Sequence, residues 1–399
     1  MFNHLHISDS RERRLVGAAD LALAAVTAIS RPFRRRPPAR APRRILLLRL
    51  ERIGDLLMPL GAIAAVRARA PGAAMHLVVG SWNAPLAALV PGVDSVETLD
   101  VPWLSRETHG ESAAGLVRRA RAWRANGFDL GINFEPDIRT NVLLGLSGAA
   151  RRVGFSTGGG AAALTDATAF DANTHTARNL GRLVDLALPA ASAAASVHAR
   201  LPVPDEARRE ARQLLERAGV NRLLVGVHAG AGRPVKMWHL ERFAEVATRL
   251  WRRRAATIVL TGAADDRPFV DRIAAAMPSD VPRVDASGAL PLPVLAAVLE
   301  QLGLFITCDT GPMHLAAAVG TPVVALFGPS NPERYGPLAE RSRVITGDVW
   351  CRPCNRVRRP PERCTGRVPD CLDAIDVDAV YQAADDLLAR RPRPESTSS

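Results

Sequence analysis

The amino-acid sequence predicts an α/β protein built from two doubly wound parallel-sheet domains in tandem. Its 399 residues suit two domains, because single domains commonly hold about 100–200 residues. Short apolar runs alternate with helical stretches, which is typical of a parallel sheet covered by helices on both faces. The alternation runs through residues 43–205 and restarts over 220–345, so we expect one domain in each range.

Strands are predicted where short apolar runs stand between turn signals, and helices where apolar residues recur every three or four positions. Strands are expected at 45–48, 75–79, 96–99, 130–134, 223–227, 257–260, 304–307 and 323–326. Helices are expected at 56–69, 83–89, 113–124, 206–218, 240–252, 268–276, 292–302, 313–319 and 377–388, and a glycine-rich loop at 157–163. Two such domains facing each other would leave a cleft at the carboxyl ends of their strands, where nucleotides commonly bind.

The chain carries a formal net charge of +12, and the excess is concentrated near the amino terminus. Residues 1–52 contain twelve arginines and four acidic residues. Residues 1–42 are predicted to be a basic extension, in which the Ala-rich apolar stretch 15–29 precedes four arginines at 31–36. The stretch is too short to span a bilayer, and no small-residue cleavage site follows it. Two interpretations stay open: a helix on an anionic membrane surface, or an extension without a role.

The most specific motif follows a predicted strand of the second domain and opens a helix. Asp309 or Thr310 can cap this helix, and Gly311 lets the backbone approach a ligand. The free N–H groups and the positive dipole at such a helix end bind phosphate. His314 lies one turn further on, with its ring expected to face the cleft. The alternative is that the first two residues are only caps and His314 is a satisfied surface histidine.

A second loop of this domain is suited to an anion. It contains His228, Gly230 and Lys236, and its glycines and small residues allow a tight turn around phosphate oxygens that Lys236 could reach. Lys236 is the only lysine of the chain. An ammonium is a compact point charge, which the wide planar fork of arginine does not reproduce. This contrast favours a chemical role for Lys236 over chance survival of one lysine.

A third strand end carries Gly262 followed by Asp265 and Asp266. Acidic side chains at this position can hold a ribose or a base edge. The sequence leaves open which of the two aspartates would do so.

In the first domain, Arg52, Gly54 and Asp55 stand at a strand-to-helix turn. Asp55 is either the N-cap of the following helix or a carboxylate that points into the cleft. A general base must lie within hydrogen-bond reach of the hydroxyl that it deprotonates. Both interpretations stay open on the residues alone.

The five cysteines fall into two groups. Cys308 is expected to be a small buried residue. The others lie in a Cys- and Arg-rich segment over 346–399 that ends in a helix, namely Cys351, Cys354, Cys364 and Cys371. Four thiolates that begin with a CxxC pair suit a structural zinc, and reduced, unligated thiols are the alternative. A cytoplasmic setting argues against disulfides.

These motifs together resemble the ADP-heptose lipopolysaccharide heptosyltransferases, glycosyltransferase family nine. The resemblance covers residues 43–380 and leaves the first 42 residues outside. It departs from the usual family pattern at His239, where proline is common. It rests on 49–56, 137–141, 148–155, Lys236 with Trp238 and, above all, 309–317.

The resemblance implies a GT-B fold and metal-independent, inverting transfer of heptose or a related sugar from ADP-heptose to a lipopolysaccharide core or similar glycan. By position, Asp55 resembles the base that activates the acceptor hydroxyl, and Lys236 resembles the cation on the departing diphosphate. Contacts to the nucleotide sugar are expected from Gly54, His228, Gly230, Lys236, Gly262, Asp265, Asp309, Thr310, Gly311 and His314, and contacts to the acceptor from Arg52, Asp137 and Arg139.

The same resemblance implies an anionic, lipid-linked acceptor, no cofactor for catalysis and a cytoplasmic location, peripheral on the inner face of the inner membrane. Two alternatives compete with it: a transferase or epimerase of another nucleotide sugar, and a basic nucleic-acid-binding protein. The latter interleaves basic residues with base-stacking aromatics. Aromatic residues make up only 5% of the chain, so no nucleic-acid partner is expected. The exact sugar, the acceptor hydroxyl and the oligomeric state stay open.

Overall fold

The computed structural model describes Leu5, Ile7 and residues 10–30, 41–104, 110–189, 198–216, 223–228 and 230–389. The chain divides into two compact units, Met1–Ala199 and Arg200–Ser399. The boundary therefore falls at 199/200, earlier than the end at 205 expected from the sequence. The arginines at 31–36, the last two residues of the predicted helix 206–218 and residues 390–399 lie outside the described residues.

The first unit is built around a six-stranded parallel sheet. Its elements in chain order are α1 (Ser10–Ser30), β1 (Arg44–Arg49), α2 (Ile53–Leu57), α3 (Leu60–Arg69), β2 (Ala74–Val79), α4 (Ala84–Ala87), β3 (Ser95–Thr98), α5 (Ala113–Ala122), β4 (Leu130–Asn133), α6 (Ile138–Leu146), β5 (Arg151–Phe155), β6 (Asp166–Thr168) and α7 (Thr176–Ala187). The strand order is β3-β2-β1-β4-β5-β6. Leu48 of β1 lies beside both Val78 and Asn133, so the carboxyl ends of the three central strands align.

Two features of this unit differ from the prediction. The helix expected at 56–69 is divided into α2 and α3, because Pro59 has no N–H to continue the hydrogen-bonding pattern of the first helix. The strands β5 and β6 and the helices α6 and α7 were not predicted. Strand β5 begins with two charged residues, Arg151 and Arg152, and β6 is a partly exposed edge strand. Neither strand therefore has the apolar run that marks a central strand.

The amino-terminal helix α1 packs on the first unit. Asp20 accepts a hydrogen bond from the backbone N–H of Gly160 (Oδ1–N 2.7 Å), and the side chain of Val16 lies against Gly159. Its exposed apolar residues include Leu15 and Val26. Within the described ranges, no helix is both long enough and apolar enough to cross a bilayer.

The second unit contains another six-stranded parallel sheet. Its elements are α8 (Asp205–Glu216), β7 (Leu224–His228), α9 (Leu240–Arg254), β8 (Thr257–Gly262), α10 (Arg267–Ala276), β9 (Arg283–Ser287), α11 (Leu292–Glu300), β10 (Leu304–Cys308), α12 (Gly311–Val319), β11 (Val323–Phe327), α13 (Pro332–Tyr335), β12 (Ser342–Thr346), α14 (Asp370–Asp373) and α15 (Val377–Ala389). The strand order is β12-β11-β10-β7-β8-β9. Neither edge strand, β9 or β12, was predicted.

Helices at both ends of the second unit pack against its other helices. An ion pair joins Arg208 of α8 to Glu300 of α11 (Nε–Oε2 2.7 Å). Helix α15 packs against α9, where Arg254 pairs with Asp385 (Nε–Oδ1 2.6 Å). Residues 200–216 and 346–389 are therefore parts of the second unit, and the carboxyl-terminal segment is not a separate domain.

The indole of Trp238 fastens the loop after β7 to the carboxyl-terminal segment. This residue is 1% exposed, packs edge-to-face on Phe243 at 5.0 Å between ring centroids, and donates a hydrogen bond to the carbonyl of Ile375 (Nε1–O 3.1 Å). Buried tryptophan side chains stabilise a domain by about 3–5 kcal/mol relative to alanine. The end of this loop is thereby fixed close to Lys236.

Candidate active site

The amino terminus of α12 is open towards the carboxyl edge of the second sheet. Thr310, not Asp309, is the N-cap: its hydroxyl accepts from the backbone N–H of Met313 (Oγ1–N 3.4 Å) and lies 3.1 Å from the hydroxyl of Thr307. Gly311 begins the helix, and His314, one turn further on, is buried rather than on the surface. Because Pro312 has no N–H and that of Met313 is capped, the N–H of Gly311 and the helix dipole are what this helix start can offer an anion.

Asp309 is paired with the only lysine. The ammonium of Lys236 lies 2.7 Å from the carboxylate (Nζ–Oδ2), and the two side chains are 20% and 9% exposed. The side chain of Asp309 is therefore nearly withdrawn from water, whereas that of Lys236 is partly exposed. The motif at 309–317 and the loop after β7 meet at this contact, between two residues 73 positions apart in the sequence.

His228 lies at the end of β7, between β8 and β10. The parallel register places it beside Thr261 and Thr307. Its Nδ1 lies 3.1 Å from both the carbonyl and the hydroxyl oxygens of Thr261. Burial lowers the pKa of His228 below its usual value, and the nearby carboxylate of Asp266 opposes this shift only in part. The neutral ring offers hydrogen bonding at this strand end rather than positive charge.

The two aspartates after β8 have different surroundings. Asp266 accepts from the backbone N–H of Ala263 (Oδ2–N 2.9 Å), and a Cβ at Gly230 would come within 2.3 Å of its carboxylate. The carboxylate of Asp266 therefore packs directly against Gly230, and a larger residue at position 230 would force this side chain to shift. Asp265 is exposed. The structure therefore leaves Asp265 as the more accessible of the two aspartates.

In the first unit, Asp55 is held by a buried arginine. Arg49, 3% exposed, donates to the carboxylate of Asp55 (Nη2–Oδ1 3.2 Å), to the carbonyl of Asp55 (Nε–O 2.8 Å) and to the carbonyl of Phe134 (Nη1–O 2.8 Å). Asp55 is the third residue of α2, whose N-cap is Arg52, so the interpretation of Asp55 as an N-cap is wrong. Gly54 before it is buried.

Two further carboxyl groups lie beside this pair. Glu135 follows β4, is 2% exposed, and accepts from the backbone N–H groups of Leu50 and Glu51. Burial raises the pKa of Glu135 to about 7, against the opposing charge of Arg49. The charge of Asp55, followed by burial and by the charge of Glu135, raises the pKa of Glu51 to about 8. The carboxyl groups of Asp55, Glu51 and Glu135 therefore all interact with the positive charge of Arg49.

The three expected acceptor contacts lie at two neighbouring strand ends of this unit. Arg52 donates to the carbonyl of Leu104 (Nη2–O 2.8 Å). Asp137 is the N-cap of α6 and accepts from the backbone and side-chain N–H groups of Arg139 (2.7 and 2.9 Å). The guanidinium of Arg139 lies 4.4 Å from the ring centroid of Trp103, and its side chain is 42% exposed. Arg139 is thus oriented and still accessible.

The four clustered cysteines line one cavity of about 330 Å³ in the second unit, together with Val235 of the loop that bears Lys236. The guanidinium of Arg363 donates to the sulfur atoms of Cys351 and Cys364, which raises the arginine's pKa. Among the side chains that the structure describes, no three metal-ligating groups are arranged to hold a metal ion. Cys308 is fully buried as expected, and burial raises the pKa of its thiol to about 12.

Sequence reasoning missed three members of the first-unit site: Arg49 as the partner of Asp55, Glu135 as a buried carboxyl group and Glu51 as a half-buried one. The sequence does contain one signal that could have identified these three residues. Each of these charged residues stands at or just after the end of a buried apolar strand, where charge is unusual without a partner.

Comparison with known proteins agrees with this architecture. The family profile described as glycosyltransferase family 9 (heptosyltransferase) matches residues 116–364. Lipopolysaccharide heptosyltransferase 2 of Salmonella typhimurium is 26% identical over 312 residues, which cover 76% of this chain and 87% of that protein. The crystal structure of the family 9 glycosyltransferase of Veillonella parvula superposes with a TM-score of 0.73 at 26% identity, covering 87% and 97% of the two chains. The Escherichia coli ADP-heptose lipopolysaccharide heptosyltransferase II gives a TM-score of 0.69 at 21% identity, covering 87% and 98%.

The two parallel sheets and these superpositions confirm the predicted GT-B fold class. A protein of this class with these motifs is a glycosyltransferase. The chain belongs to glycosyltransferase family 9, the heptosyltransferase family.

Proposed function

We propose that this enzyme transfers heptose from ADP-heptose to a hydroxyl group of a lipopolysaccharide core glycan, with inversion at the sugar carbon and without a catalytic metal. The observation that carries the proposal is the contact of Lys236 with Asp309 at the amino terminus of α12. The names of the Salmonella and Escherichia coli relatives support the sugar, the donor and the acceptor class.

The donor side provides charge where the leaving group needs it. As the bond from the sugar carbon to the diphosphate oxygen breaks, negative charge develops on the diphosphate and positive charge on the sugar ring. The N–H of Gly311, the dipole of α12 and the ammonium of Lys236 are held in place beforehand and stabilise that negative charge. An ammonium has three donors, so Lys236 can keep its bond to Asp309 and still reach the diphosphate. This arrangement supplies the charge that a metal supplies in other transferases.

The nucleoside is assigned to the neighbouring strand ends. His228 and Thr310 offer hydrogen bonds there, and Gly230, Gly262 and Gly311 admit the backbone close to the ligand. Asp265, which is exposed, is proposed to contact the ribose, and Asp266 to brace the loop.

Asp55 is proposed as the general base. It takes the proton of the acceptor hydroxyl while that oxygen attacks the sugar carbon from the face opposite the diphosphate. The new C–O bond forms as the bond to the diphosphate breaks, ADP leaves, and the proton passes from Asp55 to solvent. Displacement in one step inverts the sugar carbon. Arg52, Asp137 and Arg139 are proposed to bind the anionic acceptor.

The selectivity of the protein among nucleotides tests the proposal that the donor is ADP-heptose. We expect ADP and ADP-heptose to raise the melting temperature of the wild-type protein, and UDP and GDP to raise it much less. Lys236→Ala should weaken ADP binding about tenfold or more, since it removes a charge-assisted hydrogen bond. Lys236→Arg keeps the charge and is the matched control, expected to bind ADP better than Lys236→Ala. A preference for UDP or GDP would replace ADP-heptose with another nucleotide sugar.

Measurements of turnover test the proposed catalytic roles of Asp55 and Lys236. With ADP-heptose and heptose-free lipopolysaccharide, Asp55→Asn should nearly abolish ADP release, because the amide cannot accept the hydroxyl proton. Lys236→Ala should lower kcat by about a hundredfold or more, as expected for a preorganised contact to a developing charge. Asp280→Asn, an exposed carboxylate of the second unit, serves as the control. Wild-type kinetics in a folded Asp55→Asn protein would rule out Asp55 as the base.

The enzyme is proposed to act on the cytoplasmic face of the inner membrane, held at the anionic surface by residues 1–42. The support is the concentration of arginines there and the exposed apolar residues of α1, such as Leu15 and Val26. Deletion of residues 1–42 should move the protein from the membrane fraction to the supernatant. An unchanged distribution would show that the extension is no anchor.

We also propose that Cys351, Cys354, Cys364 and Cys371 take up one structural zinc. The support is their spacing and their common cavity. Metal binding requires the guanidinium of Arg363 to leave the two sulfur atoms to which it donates.

Elemental analysis of protein purified without chelator tests the zinc proposal. We expect about one zinc per chain, and a loss of zinc in Cys354→Ser, because three thiolates hold the ion less tightly than four. Cys308→Ala removes a cysteine outside the cavity and should keep the metal. Well under one metal per wild-type chain would decide for reduced, unligated thiols.

A further inference from the structure

Helix α1 has a continuous apolar face that is exposed. Leu15 and Val26 lie three helical turns apart on one line along the helix, and their side chains are 66% and 68% exposed. Two exposed arginines, Arg11 and Arg14, stand on the same side at the start of the helix. We call this side the outer face of α1. Its other exposed residues are Ala18, Ala19, Leu21, Ala22 and Ala25.

The opposite side of α1 is docked on a loop of the first unit. Asp20 accepts from the backbone N–H of Gly160 (Oδ1–N 2.7 Å). Gly159 has a φ of +84°, and a Cβ there would come within 2.9 Å of the side chain of Val16. Gly17, on the same side of the helix, is buried. The helix is therefore held against the first unit as one of its packed elements.

The loop that receives α1 also contacts the start of α6. The N–H of Ile138 donates to the carbonyl of Gly158 (N–O 3.1 Å). The amide of Asn141 donates to the carbonyl of Gly159 (Nδ2–O 2.8 Å). This end of α6 carries Arg139, one of the residues proposed to bind the acceptor. A single loop therefore separates α1 from the proposed acceptor contacts.

We propose that the outer face of α1 lies on an anionic bilayer, and that the contact of Asp20 with Gly160 holds the acceptor-binding end of α6 beside that bilayer. This inference rests on the proposed membrane location and lipid-linked acceptor. It adds the surface that touches the bilayer and a positioning residue, Asp20, that orients the first unit on it.

The chemistry of the outer face fits the boundary between lipid headgroups and acyl chains. Arginines attract anionic headgroups, and apolar side chains on one side of a helix enter the acyl region to a shallow depth. A flexible tether would let the first unit turn freely over the bilayer. A docked helix instead fixes which side of the unit faces the lipid, and a lipid-linked acceptor then arrives in a restricted orientation.

Flotation with vesicles of phosphatidylcholine and phosphatidylglycerol tests the outer face. The double variant Leu15→Ser, Val26→Ser should bind these vesicles about tenfold or more weakly than wild type, because two apolar side chains no longer leave water. Val344→Ser changes an exposed valine of the second unit and should bind like wild type. Unchanged binding by the double variant would overturn the proposal. If that variant instead breaks a wild-type dimer, the face belongs to a second copy of the chain.

Adding the lipid-linked acceptor to the vesicles tests the role of Asp20. Vesicles with heptose-free lipopolysaccharide should bind wild type about tenfold or more tightly than acceptor-free vesicles of equal charge, because two contacts act together. Asp20→Ala should lose most of this gain and bind acceptor-free vesicles within about threefold of wild type, since the outer face is unchanged. Asp20→Asn keeps an oxygen for the Gly160 N–H and should keep the gain. No gain in wild type, or an equal gain in Asp20→Ala, would overturn the role of Asp20.

Kinetic measurements separate this inference from the proposed function. Asp20→Ala should raise the KM for the acceptor in vesicles about tenfold and leave turnover of the same glycan without its acyl chains at the wild-type level. Equal losses with both acceptors would overturn the orienting role of Asp20 while heptose transfer stands. If wild type transfers no heptose to either acceptor, the proposed function fails, and the two vesicle-binding experiments still decide the inference.

Discussion

Charged side chains that are partly buried need a partner of opposite charge. This requirement fixes charged side chains in pairs at the carboxyl edge of both sheets. In the first unit the buried Arg49 contacts Asp55, and in the second Lys236 contacts Asp309. Removing one partner of a buried ion pair costs about 3–5 kcal/mol, because the other charge is left without compensation. Each pair therefore holds in place a side chain on which the proposed transfer depends.

Arg49 and Lys236 carry different cationic groups, and each group suits the contacts that its residue makes. The guanidinium of Arg49 uses its three nitrogen atoms on two carbonyl groups and on the carboxylate of Asp55. Its planar fork suits this fixed set of partners. The ammonium of Lys236 forms an ion pair with Asp309, and the side chain of Lys236 is 20% exposed. A compact ammonium with donors to spare suits a ligand that arrives and leaves.

The central strands and the donor-side motifs could be predicted because their signals are local. Buried apolar runs mark β1, β7 and β10, and the candidate site residues stand directly after them. The edge strands β6, β9 and β12 are partly exposed and lack such runs, so periodicity does not reveal them. Glu51 and Glu135 were missed for a different reason. Their importance arises from the pairing of β1 with β4, which brings together residues 84 positions apart.

The carboxyl-terminal segment packs against the loop that bears Lys236. Trp238 and Arg242 donate to the carbonyl of Ile375, and His239 lies 2.8 Å from the carboxylate of Asp373 (Nε2–Oδ1). The loop that bears Lys236 is therefore held by Asp309 on one side and by residues 373–375 on the other. Such a loop presents its ammonium without having to be ordered by the ligand, which lowers the entropic cost of binding.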